Sequence, residues 1–210
     1  VAENFARFCA LFDMDPAHPV RTHQIHGTGV AKVTWDDAGV CHKVDGLISD
    51  EAGLPLFLVF ADCVPLVLYD RQNHALGVCH AGWRGTLNGA GLATLWAMQA
   101  AYGTDPAHLH VGIGPSIGPQ SYEVGPEVYD LAQVKLPYAD DLFTFPNGPG
   151  RNPYFDLWQA NARQFADAGV PPAQIEIGGV DTAQNTQDFY SHRAERGQCG
   201  LFGMMAWLQT

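Results

Sequence analysis

Residues 56–85, LFLVFADCVPLVLYDRQNHALGVCHAGWRG, decide how the chain is read. Two apolar runs, Leu56 to Phe60 and Val64 to Tyr69, flank Asp62 and Cys63; a third, Ala75 to Cys79, runs into His80 and the glycine-bracketed Arg84. Short apolar runs bounded by turn residues predict buried strands. An acid, a thiol, an imidazole and a guanidinium therefore stand where strands give way to loops, the usual place for reactive groups on a rigid scaffold.

Working outward, Phe5, Phe8, Leu11 and Phe12 recur at helical spacing in residues 1–14, and Asp15-Pro16 ends that pattern. Val20 to His26 and Val30 to Trp35 read as strands around a turn at Gly27 and Gly29, with His23 and His26 beside it. Asp45-Gly46 opens a turn before the strand Leu47 to Ser49. Past Arg84, Thr86 to Tyr102 carries a helical pattern closed by Gly103, so a helix entrance and its positive end face the Arg84 loop. A strand at His108 to Ile113, a helix at Glu127 to Val134, a linker or mobile loop at 137–153, a helix at Asp156 to Ala168 and a strand at Ile175 to Val180 follow. Asp181 to Arg196 is polar, and Phe202 to Leu208 returns to the core. Strands interleaved with helices indicate an α+β (mixed α/β) fold, with layered mixed sheets flanked by helices.

Composition narrows the function. Of 210 residues, 47% are hydrophobic and 16% charged, enough for a sizeable core. A net charge of -11, from 11 basic and 22 acidic residues, leaves no basic stripe for nucleic acid or an anionic membrane. An anionic substrate must then be held by a few local arginines and backbone amides. No apolar run reaches the roughly 18 residues of a membrane span, and the five cysteines form no CxxC pair, so the chain reads as cytoplasmic with reduced thiols. Partners are expected to be small molecules, with no oligomeric state implied.

His26, Cys63 and His80 stand 37 and 17 positions apart, a spacing that carries no local metal signature. Each nevertheless sits at a strand end beside Gly, Asp or Pro, and two imidazoles with one thiolate suit zinc with a fourth position open. His23 rivals His26 on pattern. Asp62 reads as a general acid/base or as a strand-end carboxylate accepting backbone hydrogen bonds, and Arg84 as a phosphate or carboxylate ligand or a salt-bridge partner. In FYSHR, a strand would put Ser191 and Arg193 on one face as a pocket wall, with His192 opposite. Asp45, His42, His108 and His110 show only turns and strand faces.

HQIHGTGV, DGLIS, FADCVPLVLYD, GVCHAGWRGTLNG, GIGPSIGPQSYEVG, FDLWQANARQ and FYSHR, in this order and over most of the chain, make it similar to the YfiH/YlmD family of laccase-domain proteins. Those proteins were formerly called multicopper polyphenol oxidases and are now regarded as purine nucleoside phosphorylases. The resemblance implies a YfiH-like fold over residues 1–210 as one domain, beginning after the family's longer N-terminal segment. It implies cleavage of adenosine, inosine, guanosine and methylthioadenosine with phosphate, together with adenosine deamination. Matched residue by residue, it implies zinc on His26, Cys63 and His80. Asp62, Arg84, Ser191 and Arg193 fall on its motif positions, which suggests proton shuttling for Asp62 and phosphate binding for the other three. The chain departs from the family pattern at Asp181-Thr182, where Cys-Thr is common, and at Cys199-Gly200-Leu201, where Thr-Gly-Arg is common.

Two other chemistries compete. Copper is a possible occupant of a Cys and two His, as the older family name says. A laccase's copper centres need about ten histidines, many in HxH pairs, and this chain has nine with His108 and His110 as its one such pair. A metal-free cysteine hydrolase would instead use Cys63 as nucleophile and His80 as base.

Overall fold

The computed structural model describes residues 2–148 and 150–209; Val1, Pro149 and Thr210, at the edges of the expected N-terminal helix, 137–153 loop and C-terminal element, lie outside them. In chain order the elements are α1 (Ala2–Ala10), β1 (Val20–Thr22), β2 (Val30–Lys32), β3 (Cys41–His42), β4 (Gly46–Ser49), β5 (Leu56–Phe60), β6 (Val64–Asp70) and β7 (Ala75–Ala81). There follow α2 (Trp83–Leu87), α3 (Ala90–Tyr102), β8 (Leu109–Ile113), α4 (Pro126–Lys135), β9 (Phe143–Thr144), β10 (Tyr154–Phe155), α5 (Leu157–Asp167), β11 (Ile175–Ile177) and β12 (Phe202–Ala206).

Two mixed sheets stack, as an α+β fold requires. The larger has the order β11-β8-β6-β7-β4-β2, the smaller β12-β5-β1-β3, and β9 pairs with β10 separately. Residues of β4, β6 and β7 alternate between two cores with the period of a strand. Leu66, Leu68, Cys79 and Ile48 enter the core beneath the helices. Leu47, Leu76 and Val78 instead meet Val20, Leu56, Leu58 and Phe60 of the smaller sheet. On the far face of the smaller sheet, Phe57 takes the edges of Phe5 and Phe8 from α1, at 4.9 and 5.7 Å between ring centroids. The layers thus run α1, small sheet, large sheet, helices.

The predicted helix over Thr86–Tyr102 is two helices in the structure. Gly89 takes a left-handed conformation (φ 77°) that ends α2 and starts α3 in a new direction. Close packing follows: a Cβ at Gly91 would lie 2.8 Å from the Phe165 ring of α5 and 3.0 Å from Leu66 of β6.

Two other expectations change. The first part of 137–153 is packed rather than a linker, because Tyr138, Ala139, Leu142 and Phe143 are buried and Phe143 stacks on Phe155 with centroids 4.4 Å apart, whereas 144–147 and 150–152 are exposed. Apolar side chains spaced among the Pro and Gly tie this segment to the core. Residues 191–197 are consecutive turns rather than a strand, with Glu195 N–H bonded to Ser191 O and Gly197 N–H to His192 O.

Phe165 is buried and anchors α5 against α3. Phe165→Ala is expected to cost about 3–5 kcal/mol, as a large cavity in a packed core does. A urea unfolding curve checks it.

Candidate metal and anion site

The site lies where the chain passes between the two sheets. β5 belongs to the small sheet and β6 to the large one, so Ala61, Asp62 and Cys63 make the crossing. The turn is tight, and Asp62 is held at φ 84°, a conformation that side chains rarely adopt. Three hydrogen bonds hold it there. Its Oδ1 accepts from Thr182 Oγ1 at 2.7 Å, its Oδ2 from Arg193 N–H at 2.6 Å, and its carbonyl from Ile117 N–H at 3.0 Å. Asp62 lines the site cavity, yet both carboxylate oxygens are engaged in holding the crossing and the 191–197 turns together.

A second approach comes from the small sheet. β1 stops at Thr22 because Gln24 substitutes its side-chain amide for backbone pairing: Nε2 donates to Val59 O at 2.7 Å, and Oε1 accepts from Val59 N–H at 3.3 Å. The chain then turns through Ile25, His26 and Gly27, and all three N–H groups point at the carboxylate of Asp45, at 3.2, 3.0 and 2.8 Å. That turn places His26 at φ 58°. A run of backbone N–H groups converging on one carboxylate is a strong, charge-assisted cradle.

The third approach is β7, whose end delivers His80. Its backbone N–H donates to Asp45 O at 2.8 Å, and its Nδ1 lies 2.9 Å from Asp45 Oδ1. Nδ1 is therefore the donor, and Nε2 keeps its lone pair for the cavity. Burial alone would raise the Asp45 pKa, but hydrogen bonds from His80, Gly27 and Ile25 outweigh it and hold the carboxyl below its ordinary value. Asp45 is fully buried and contacts two parts of the site. From the sequence it was read only as a turn residue. The one sequence signal was its Asp-Gly position, shared by many inert turns.

These approaches bring His26, Cys63 and His80 together, with one ligand atom from each lying within 4.8 Å of the others. His23 lines the same cavity but is not in this cluster. The residues fit a metal ion. The His26 and His80 rings meet edge to face at 4.9 Å, and Gly82 leaves the space beside Cys63 and His26 open, since a Cβ there would stand 2.9 Å from Cys63 Sγ and 3.3 Å from the His26 ring. Burial, then the coulombic field of His80, keeps the His26 pKa low and its ring neutral, as a ligand requires. Burial pushes the Cys63 thiol up to about 12, and Asp62 and Asp45 push it the same way. A cation is what converts such a thiol to a thiolate.

The cavity, about 820 Å³, extends from this cluster past Trp83, Arg84, Tyr122, His192, Arg193 and Leu201. Arg84, in the first turn of α2, lies over the Trp83 ring at 4.0 Å. Arg193 lies over Tyr122 at 5.3 Å and donates from Nη1 to Glu123 O at 2.7 Å. Ser191 is not on the wall: it is fully buried, its hydroxyl accepts from Ala194 N–H, and its own N–H donates to Glu195, so it shapes the turn that presents Arg193. His192 does face the cavity, against the strand reading. At Asp181, Oδ2 accepts from Ser121 Oγ at 2.6 Å, away from the cluster.

Residues 1–209 match the family model described as multi-copper polyphenol oxidoreductase laccase. The chain belongs to this family. A relative from Geobacillus stearothermophilus, named purine nucleoside phosphorylase YlmD, is 38% identical over 185 residues, covering 84% of this chain and 67% of the relative. The solved structure of YlmD from the same organism superposes with a TM-score of 0.94 at 33% identity, over 100% of this chain and 80% of that one. The Bacillus licheniformis protein YfiH superposes at 0.93 with 30% identity, over 100% and 81%. The YfiH/YlmD resemblance of the sequence is thus that of the fold as well.

Asp45→Asn removes the charge from all four contacts and sets an amide donor against two of them, either the Ile25 and Gly27 N–H groups or the His26 N–H and His80 Nδ1. Zinc affinity is expected to fall about 10–100-fold, the usual effect of losing a carboxylate that orients a ligating histidine, as measured by competition with a chelating dye. The sign with pH follows from the lowered folded pKa. The Asp45 contribution to stability is complete above its unfolded value, about 3.9, and is lost as pH falls through the lower folded one. The stability gap between wild type and Asp45→Asn should hold constant near neutrality and shrink only below about pH 4 in acid unfolding. Gly82→Ala is expected to lower metal content in purified protein, because its methyl would occupy the space beside Cys63 and His26.

Proposed function

We propose that this chain is a purine nucleoside phosphorylase acting on adenosine, inosine, guanosine and methylthioadenosine, with adenosine deaminase activity at a zinc site. The observation that carries this reading is that one cavity holds both a two-imidazole, one-thiol cluster and two guanidinium groups. The relatives named purine nucleoside phosphorylase support it, as do a donor set suited to zinc and five free cysteines consistent with a cytoplasmic enzyme. Among the described residues no helix is long and apolar enough to cross a membrane.

Arg84 and Arg193 bind phosphate, and each guanidinium is held by an aromatic ring, so the anion is fixed before reaction rather than gathered during it. Phosphate held by them would attack the sugar C1′, where charge develops as the glycosidic bond loosens. His26, Cys63 and His80 would hold the zinc, which would supply Lewis-acid activation of water for deamination at the purine C6. Asp62 holds Thr182 and Arg193 in place, and its carboxylate at the cavity edge is positioned to accept a proton from the base side. Trp83 offers a flat face for stacking.

The family description favours a second reading, a copper-dependent polyphenol oxidase. Among the described residues the cluster of ligand atoms is a single one, and His110 lines a separate groove with Tyr69 and Glu176. A laccase joins a mononuclear copper to a trinuclear cluster. The metal-free cysteine hydrolase reading is disfavoured by a Cys63 thiol held near 12, since a nucleophilic cysteine needs a lowered pKa.

Zinc in metal analysis and phosphate-dependent release of free base from inosine are the expected results. Release of neither base nor inosine from adenosine at full zinc occupancy would remove the proposal, and copper with phenol oxidation would install the second reading. Arg84→Ala is expected to raise the phosphate KM by about tenfold or more, the effect of losing a charged hydrogen-bond donor.

A further inference from the structure

Tyr122 lines the same cavity as the His26, Cys63 and His80 cluster and the two arginines, and its position is fixed by more than one contact. Its N–H donates to Gly118 O, its carbonyl accepts from Phe155 N–H, both at 3.0 Å, and its ring stacks on Phe155 at 6.4 Å. Arg193 lies over the ring at 5.3 Å and is tied to the next residue, Glu123. The ring is half-buried in the cavity wall, yet its hydroxyl forms no hydrogen bond among the described residues. Burial, then the nearby Cys63 and Asp62, raise its pKa, against the pull of Arg193 and Arg84, so at neutral pH the phenol is a donor.

A donor that makes no hydrogen bond among the described residues, in electrostatic reach of two guanidiniums, has a natural complement in an anionic oxygen. We propose that the Tyr122 hydroxyl binds the substrate anion directly, donating to an oxygen of the phosphate held by Arg84 and Arg193. The identity of the anion rests on the phosphorylase reading; the donor role does not. Arg193 and the phenol act as one unit, since the ring that supports the guanidinium carries the hydroxyl.

The test uses the full zinc-loaded chain and inorganic phosphate as the probe. Calorimetric titration of wild type and Tyr122→Phe is expected to show phosphate bound about tenfold or more weakly in the variant, the effect of deleting a hydrogen bond to a charged group. The phosphate KM should rise by the same factor, while the nucleoside KM and the melting temperature stay unchanged. Tyr122→Leu, which also removes the platform of Arg193, should weaken phosphate further. Equal phosphate affinity in wild type and Tyr122→Phe overturns the proposal, as does a wild type that takes up no phosphate. A wild type that binds phosphate tightly, loses it in Tyr122→Phe and cleaves no nucleoside sustains the donor role and removes the phosphorylase reading alone.

Discussion

The carboxylate of Asp45 is the contact on which the rest of the site depends. It is fully buried, carries charge, and spends that charge on three consecutive backbone N–H groups and one imidazole. An unpaired buried carboxylate would cost several kcal/mol, so the turn at residues 25–27 and the end of β7 cannot separate without exposing it. The same group therefore fixes His26 in position and His80 in tautomer. A structural anion thus assembles a cationic site from two distant parts of the chain.

The Ala61–Cys63 crossing supplies the third component. A sheet switch within three residues demands an unusual backbone angle, and Asp62 takes it at the cost of about 1–3 kcal/mol. The compensation comes from the C-terminal part of the chain, through Thr182 and the N–H of Arg193. One consequence is that Cys63 leaves the crossing aimed at the cavity. Another is that the 191–197 turns, and Arg193 with them, are pinned to the same point. Cys63 and the Arg193 turn are thereby held by a single carboxylate.

The fold was legible where apolar periodicity was strong. β5, β6 and β7 follow from residues 56–81, and the helix pattern after Arg84 is present, although the left-handed Gly89 divides it. Nothing in that pattern reveals that β5 joins a different sheet from β6, because a buried strand reads alike in either. The Pro- and Gly-rich stretch at 137–153 misleads because composition hides Tyr138, Leu142 and Phe143, which pack through tertiary contacts. The three clustered residues could be marked as strand-end candidates, and pattern alone left His23 beside His26, which the family motif favoured and the structure places in the cluster. Asp45 and Tyr122 were invisible for a common reason. Their roles lie in what they face, and sequence spacing says nothing about that.

The acidity of the chain bears on how it handles anions. The chain has 22 acidic and 11 basic residues, and among the described residues two of its arginines pair with a carboxylate, Arg7 with Glu3 and Arg163 with Asp141, the latter at 2.7 Å. Arg84 and Arg193 instead rest on Trp83 and Tyr122, contacts that orient the guanidinium through its flat face without neutralising it. Neither forms a salt bridge among the described residues. Aromatic support of this kind keeps positive charge available at one place on an otherwise negative molecule, which favours a small dianion that reaches the cavity over any extended anionic surface.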